Sequence, residues 1–350
     1  MPLKPYVART LFTYLFAVST GLAGCERALD ALVASTLNRA DAGILEEPGL
    51  HVVLCGTGSP VADSRRAGAC TAVAANGQLF LVDSGPGSWE TVDLSNLPIG
   101  SLSGVLLTHF HSDHIGDLGE AMTGSWIAGR KRPLDVYGPV GTREVVEGFV
   151  RAYASDIEHR VRHHGDATMP RAAAGAVAHE IPLDLDDPSF PEAVVLDHDG
   201  LRITMFPVDH DPVRPAVGYR FEADGRSVVV TGDTKKSASV VKHAKDTDLL
   251  VHEALLNEAA ERASTVAASL GLERLAKLAS DIPGYHTTPV EAAEVAQAAG
   301  AKKLVLTHLV PGPNNFLVRR MFLRGTSDIY DGEIVLGEDG MRFDLAPAPD

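Results

Sequence analysis

The chain has 350 residues, 45% hydrophobic and 22% charged, with 33 Gly and 21 Pro. This balance belongs to folded soluble chains and excludes disordered, collagen-like and polytopic membrane proteins. With 31 Lys and Arg against 46 Asp and Glu, the net charge of −15 opposes broad binding to a nucleic-acid backbone but leaves room for a local basic groove.

Residues 1–24 contain Lys4 and Arg9, no acid, and the apolar run Leu11–Leu22. A positive start, a short apolar stretch and small residues before a cleavage point predict a secretory signal, too short to span a bilayer comfortably. Leu22-Ala23-Gly24-Cys25 also resembles a bacterial lipobox, in which the cysteine is lipidated. The expectation is an exported protein, periplasmic or held at the membrane through its N-terminal segment or a lipid. Three cysteines are too few for a disulfide scaffold. Cys55 and Cys70 are expected as two small buried hydrophobes, with a disulfide as the alternative in an oxidising compartment.

Residues 25–49 read as a tether. Leu29, Leu32, Val33 and Leu37 at helical spacing predict a short helix within Ala28–Arg39, and Ala40–Gly49 reads as linker. One domain is expected over 50–350. From His51 onward, short β-rich runs (HVVLCG, ACTAVAA, QLFLVD, SGVLLTH, LDVYGP, LRITMFPVDH, VGYRFEA, RSVVVTGDT, DLLVHEA, KLVLTH) alternate with glycine turns. Helical patterns fall over Thr142–Ala154 and Pro289–Ala299. For the second, Thr288 is the N-cap, Pro289 fits the first turn, Glu291 completes a capping box and Gly300 ends the helix. Strands first in runs, then alternating with helices, predict an α/β fold of stacked sheets with helices outside.

The strongest chemical signal is Thr108-His109-Phe110-His111-Ser112-Asp113-His114, directly after the strand SGVLL. Neutral imidazoles with a carboxylate form a donor set suited to zinc. Alternate residues at a strand end share a face, so His109 and His111 can reach one metal, while Asp113 and His114 lie where the chain turns towards another. His210, Asp233 and His308 each follow an apolar strand, the usual place for a site carried on a rigid scaffold. Taken singly, each has a bland reading, as a turn aspartate or a capping or core histidine.

As an ordered set, His-x-His-x-Asp-His … His … Asp … His resembles the metallo-β-lactamase superfamily. Gly56-Thr57-Gly58-Ser59-Pro60, Leu81-Val82-Asp83-Ser84-Gly85, His252-Glu253-Ala254 and His286 extend the likeness to the branch holding ribonuclease Z and the zinc-dependent alkyl- and arylsulfatases. The resemblance covers residues 51–345 and implies a four-layer αβ/βα sandwich with two zinc ions at one edge. It implies His109, His111 and His210 on the first zinc, Asp113, His114 and His308 on the second, and Asp233 bridging. Asp83 would orient the site from behind, with a plain turn aspartate as the alternative, and His252 would point into the fold. Asp113 would orient the attacking hydroxide. Glu253 and His286 resemble the pair that handles the leaving-group proton in ribonuclease Z.

The same constellation serves several esters, because a fold does not set a function. The stretch Glu180–Asp199 holds seven acids and no Lys or Arg, whereas ribonuclease Z carries a basic arm in this part of the chain. An acidic segment repels phosphate backbones. The sequence therefore favours an exported arylsulfatase- or phosphodiesterase-like hydrolase of a small anionic ester, with a homodimer allowed by the resemblance. The first alternative is a tRNA 3′-end endoribonuclease of the ribonuclease Z type. The second is a membrane-tethered binding module on a dead hydrolase fold, whose expected sign would be a broken ligand set; all seven candidates are present. Arg160, Arg162, His163 and His164 read as a solvated charged face rather than an anion-binding rim. Trp126 and Tyr137 read as core rather than aryl contacts.

Overall fold

A computed structural model describes residues 26–34 and 43–349. The expected signal, the lipobox cysteine Cys25 and residues 35–42 of the expected tether lie outside the described residues. The chain divides into two compact units, 1–41 and 42–350, each taken by itself. In the first, residues 26–34 are helical, with Leu29, Leu32 and Val33 exposed. No helix among the described residues is long and apolar enough to cross a membrane.

The second unit contains fourteen strands: β1 (Leu50–Gly56), β2 (Cys70–Ala75), β3 (Gln78–Val82), β4 (Leu102–Leu106), β5 (Leu134–Gly138), β6 (Ala176–Glu180), β7 (Ala193–His198), β8 (Leu201–Pro207), β9 (Val217–Ala223), β10 (Arg226–Val230), β11 (Leu249–Leu255), β12 (Lys303–Val310), β13 (Glu333–Leu336) and β14 (Arg342–Leu345). They form two seven-stranded mixed sheets, ordered β14-β1-β2-β3-β4-β5-β6 and β13-β12-β11-β10-β9-β8-β7.

Continuous apolar runs rather than alternation mark strands buried on both faces. In β1, Leu50, Val52 and Leu54 enter the core between the sheets, while Val53 and Cys55 face the outer helices. In β11, Leu249 and Val251 face inward, and Leu250 and Ala254 meet the opposite helical layer. Helix, sheet, sheet and helix are thus the four layers expected.

Several local expectations changed. The helix starting at Thr142 runs to His164, ten residues past Ala154. Ile157 and Val161 hold the extra turns by packing with Trp126, Met169 and Ala173. Arg160 and Arg162 sit on this extension, paired with Asp156 and Glu158 one turn away. Trp126 is buried, and Tyr137 packs against the core. The end of the expected linker is not a linker, because Gly43–Glu46 forms a short helix whose Ile44 is buried in the sandwich. Cys55 and Cys70 form a disulfide rather than separate buried thiols. A β-bulge in the β1–β2 pairing sets Cys70 beside the end of β1, leaving the two Cα atoms 4.9 Å apart, within bridging range.

The capped helix Pro289–Ala299 forms as expected. The Thr288 hydroxyl accepts from the Glu291 amide, the Glu291 carboxylate accepts from the Thr288 amide, and Gly300 takes the left-handed conformation. Between β11 and this helix lies a two-helix arm, Asn257–Ser269 and Glu273–Asp281.

Candidate metal centre

In sheets with parallel strands, sites gather at the carboxyl ends of those strands. Here β4 is parallel to β3 and β5, and β10, β11 and β12 run parallel to one another. The centre collects there. His109, His111, Asp113 and His114 follow β4, Asp233 follows β10, Glu253 lies in β11 and His308 in β12. His210 follows β8, and His286 precedes the capped helix.

Asp83 builds the first half. Its carboxylate accepts the Thr108 amide at 2.8 Å, the Thr108 hydroxyl at 2.7 Å and the His114 Nδ1–H at 2.7 Å. Three bonds to one carboxylate fix the turn after β4 and leave His114 Nε2 aimed at the centre, the usual device for orienting a metal-binding imidazole. Gly85 is required beside it. A Cβ there would lie 2.0 Å from the Asp113 carbonyl oxygen.

The second half is assembled from separate segments. Gly232 has φ +61 and passes against Thr108, which sets Asp233 into the centre. His308 takes φ +46 beside an irregularity in the β11–β12 register, a conformation uncommon for a non-glycine residue and concentrated at functional sites. His210 Nδ1–H donates to the Tyr285 carbonyl at 2.8 Å. Glu253 accepts the His286 Nδ1–H at 2.7 Å and the Thr234 amide at 2.8 Å through the same oxygen. The Thr287 hydroxyl donates to the Thr234 carbonyl at 2.5 Å.

The resulting donors fall into two groups, His109/His111/His210/Asp233 and Asp113/His114/His308, with the ligand atoms of each within 4.8 Å of one another. Asp233 Oδ2 stands 3.9 Å from His109 Nε2, 3.8 Å from His210 Nε2, 3.3 Å from His114 Nε2 and 3.5 Å from His308 Nε2. A single carboxylate therefore lies between both groups. His308 Nε2 also approaches Asp113 Oδ2 at 3.1 Å.

These residues fit a cation. His109 Nε2, His114 Nε2, His210 Nε2, Asp233 Oδ1 and His308 Nδ1 are buried without any hydrogen-bond partner. Buried polar atoms are almost always paired, so orphaned nitrogens of His109, His114 and His210 around the Asp233 carboxylate mark a place where something else is bound. Burial holds His109 well below the ordinary imidazole value, and lowers His111 and His210 as well, keeping them neutral with a lone pair to offer. Burial works against the Asp233 charge, yet His308 and His114 hold its carboxyl well below the usual range. Burial likewise opposes a proton on His114, but Asp233 and Asp83 carry it well above its ordinary value. Burial opposes a proton on His286 too, and Glu253 and Asp233 outweigh it, raising the imidazole to about 9.

Every sequence-derived candidate thus lies at one edge of the sandwich. His252 points into the fold, with Nδ1 on the Glu253 carbonyl. Sequence reasoning gave no role to Thr108 or Thr234 and did not single out Tyr285. The only signal for them was adjacency to His109, Asp233 and His286.

The comparisons with known proteins follow the same line. Residues 79–309 match the Beta-lactamase superfamily domain. The chain is 36% identical over 303 residues to the ribonuclease Z of Mycobacterium bovis (strain BCG / Pasteur 1173P2), covering 85% of this chain and 99% of that one. It is 39% identical over 302 residues to the ribonuclease Z of Mycobacterium sp. (strain KMS), covering 85% and 97%. The fold resembles human tRNase Z, short form, with TM-score 0.60 and 23% identity over 84% of this chain and 98% of that chain. It also resembles the metallo-β-lactamase fold protein YhfI from Bacillus subtilis, with TM-score 0.59 and 18% identity over 85% and 100%. With the full ordered histidine and aspartate set at its sheet edge, the chain belongs to the metallo-β-lactamase superfamily, in its ribonuclease Z branch.

Proposed function

We propose that this chain is a metal-dependent phosphodiesterase of the ribonuclease Z type, cutting tRNA precursors at the 3′ end. The observation that carries the proposal is identity of 36 to 39% through nearly the whole length of ribonuclease Z chains. The expectation of an arylsulfatase as first reading yields to it.

In this reading, His109, His111 and His210 would hold one zinc ion, Asp113, His114 and His308 would hold a second, and Asp233 would serve both. The chemistry zinc brings when bound is Lewis acidity and a hydroxide available near neutral pH. Asp113, buried with its group, would orient the nucleophile. His286 carries its proton on Nε2 at neutral pH, because Glu253 takes the Nδ1–H at 2.7 Å and stabilises the cation. That proton goes to the departing ester oxygen, a general-acid step. The Thr234 amide fixes Glu253, so the acid and the neighbouring Asp233 share one backbone support.

A second reading, an exported hydrolase of a small anionic ester, has one observation of its own. The acidic stretch Glu180–Asp199 is fastened beside the centre instead of forming a basic arm. Asp186 pairs with Arg214 at 2.7 Å, and Lys242 Nζ donates to the Ser189 and Phe190 carbonyls at 2.8 Å. Leu185, Asp186 and Phe190 thereby wall a cavity of about 250 Å³ that reaches His210. Lipid or signal anchoring through residues 1–25 belongs to this reading.

Zinc-loaded protein offered a precursor tRNA, bis-nitrophenyl phosphate and nitrophenyl sulfate separates the two. Chelator-sensitive cleavage at the tRNA 3′ end supports the first. Turnover of the small esters alone supports the second. Metal-loaded protein inert towards all three returns the binding-module reading.

A further inference from the structure

Access to the centre is narrow. His109, Asp113, His114, His210, Asp233 and His308 are all buried, whereas His111, Tyr285 and His286 are partly exposed. A substrate therefore approaches over these three. Tyr285 is the aromatic residue among them that is neither a metal donor nor a proton carrier. Its ring centroid lies 5.3 Å from that of His210, edge-on, and 4.7 Å from that of His286, tilted.

The backbone and the side chain of Tyr285 have separate duties. Its carbonyl orients His210 and is present whatever the side chain. The ring takes no part in the apolar core clusters, and among the described residues its hydroxyl makes no hydrogen bond. Tyrosine kept for packing buries its ring and pairs its hydroxyl. A partly exposed tyrosine beside the reacting groups, its ring outside the core and its hydroxyl unbonded, is instead suited to contact another planar group.

We propose that Tyr285 is a specificity-determining residue whose ring stacks on the planar ring next to the scissile ester. That ring is a nucleobase in an RNA substrate and an aryl group in a small ester. The inference rests on the hydrolase reading above, and its test is independent of turnover. Base–aromatic stacking sets the expected size, about 5- to 150-fold in affinity.

The experiment measures, by calorimetry on zinc-loaded protein, the binding of phenyl phosphate, adenosine monophosphate and methyl phosphate. The comparison is between the natural chain, Tyr285→Phe and Tyr285→Leu. The natural chain and Tyr285→Phe are expected to favour the two ring-bearing ligands over methyl phosphate. Tyr285→Leu is expected to lose that preference while keeping its zinc content and its methyl phosphate affinity. Stronger discrimination on adenosine monophosphate than on phenyl phosphate assigns the surface to a base, and the reverse assigns it to an aryl ester. Equal loss for all ligands in Tyr285→Leu reveals a merely structural residue and overturns the proposal. So does unchanged discrimination, or a natural chain that binds phenyl phosphate and adenosine monophosphate no better than methyl phosphate. A natural chain that shows the preference yet hydrolyses no ester sinks the hydrolase reading and leaves the stacking surface standing.

Discussion

The two sheets supply the centre in opposite ways. The first delivers His109, His111, Asp113 and His114 from a single turn, with Asp83 gripping that turn by three hydrogen bonds. The second delivers His210, Asp233, Glu253 and His308 from four different strands, and His286 from the start of a helix. The first half is a local object whose geometry survives as long as one carboxylate does. The second exists only while β8, β10, β11 and β12 keep their register, so it depends on the core that aligns them.

Asp233, from the second half, stands between the two donor groups, and its loss gives the largest expected effect. Asp233→Ala should abolish turnover and strip metal from both groups, read as metal content by mass spectrometry. Retention of a full metal complement would show that the two donor groups bind independently of Asp233.

Next is the proton carrier of the second half. His286→Ala should lower kcat by about 10²- to 10⁴-fold with metal content unchanged. Without metal the imidazole is raised to about 9, and Glu253 keeps its acid form present at neutral pH and lost at alkaline pH. The natural chain should therefore lose activity on that alkaline limb, and His286→Ala should show no such limb. The same shift stabilises the fold. Its contribution is complete below the ordinary value of 6.5 and disappears as pH climbs through about 9, which denaturant titrations across that range would follow.

Asp83→Asn tests the first half. A neutral amide accepts the same amide and hydroxyl protons less strongly and favours the wrong tautomer at His114. Metal affinity should fall about 10- to 100-fold in chelator competition. A larger fall at the Asp113/His114/His308 group than at the His109/His111/His210 group would tie the effect to His114.

The smallest effect on the centre is expected from the disulfide, which joins cysteines 15 residues apart in the first sheet. Closing a loop of that length stabilises by about 3 kcal/mol, so Cys55→Ser with Cys70→Ser should unfold at lower denaturant while keeping its metal. Loss of metal in that variant would show the first half to be less self-sufficient than its hydrogen bonds imply.

Much of the fold and part of the centre were legible in the residues alone. Apolar runs broken by glycine turns marked the strands, and Thr288, Pro289, Glu291 and Gly300 bounded their helix because capping is settled within a few residues. The cluster from His109 to His114 announced itself for the same reason, since its donors are close in sequence. His210, Asp233 and His308 were meaningful only as an ordered pattern shared with a family. Other features depended on residues far apart in the chain. Ile157 and Val161 prolong their helix by meeting Trp126, and Ile44 turns an expected linker into part of the sandwich. Bonds spanning 25 to 75 residues tie Thr108 to Asp83 and His210 to Tyr285. Capping, turn chemistry and strand burial act over a few positions, so they can be read from a string of residues. The orphaned nitrogens around Asp233 and the partly exposed Tyr285 beside them come together only when the two sheets close on one another, because packing alone decides which distant groups meet.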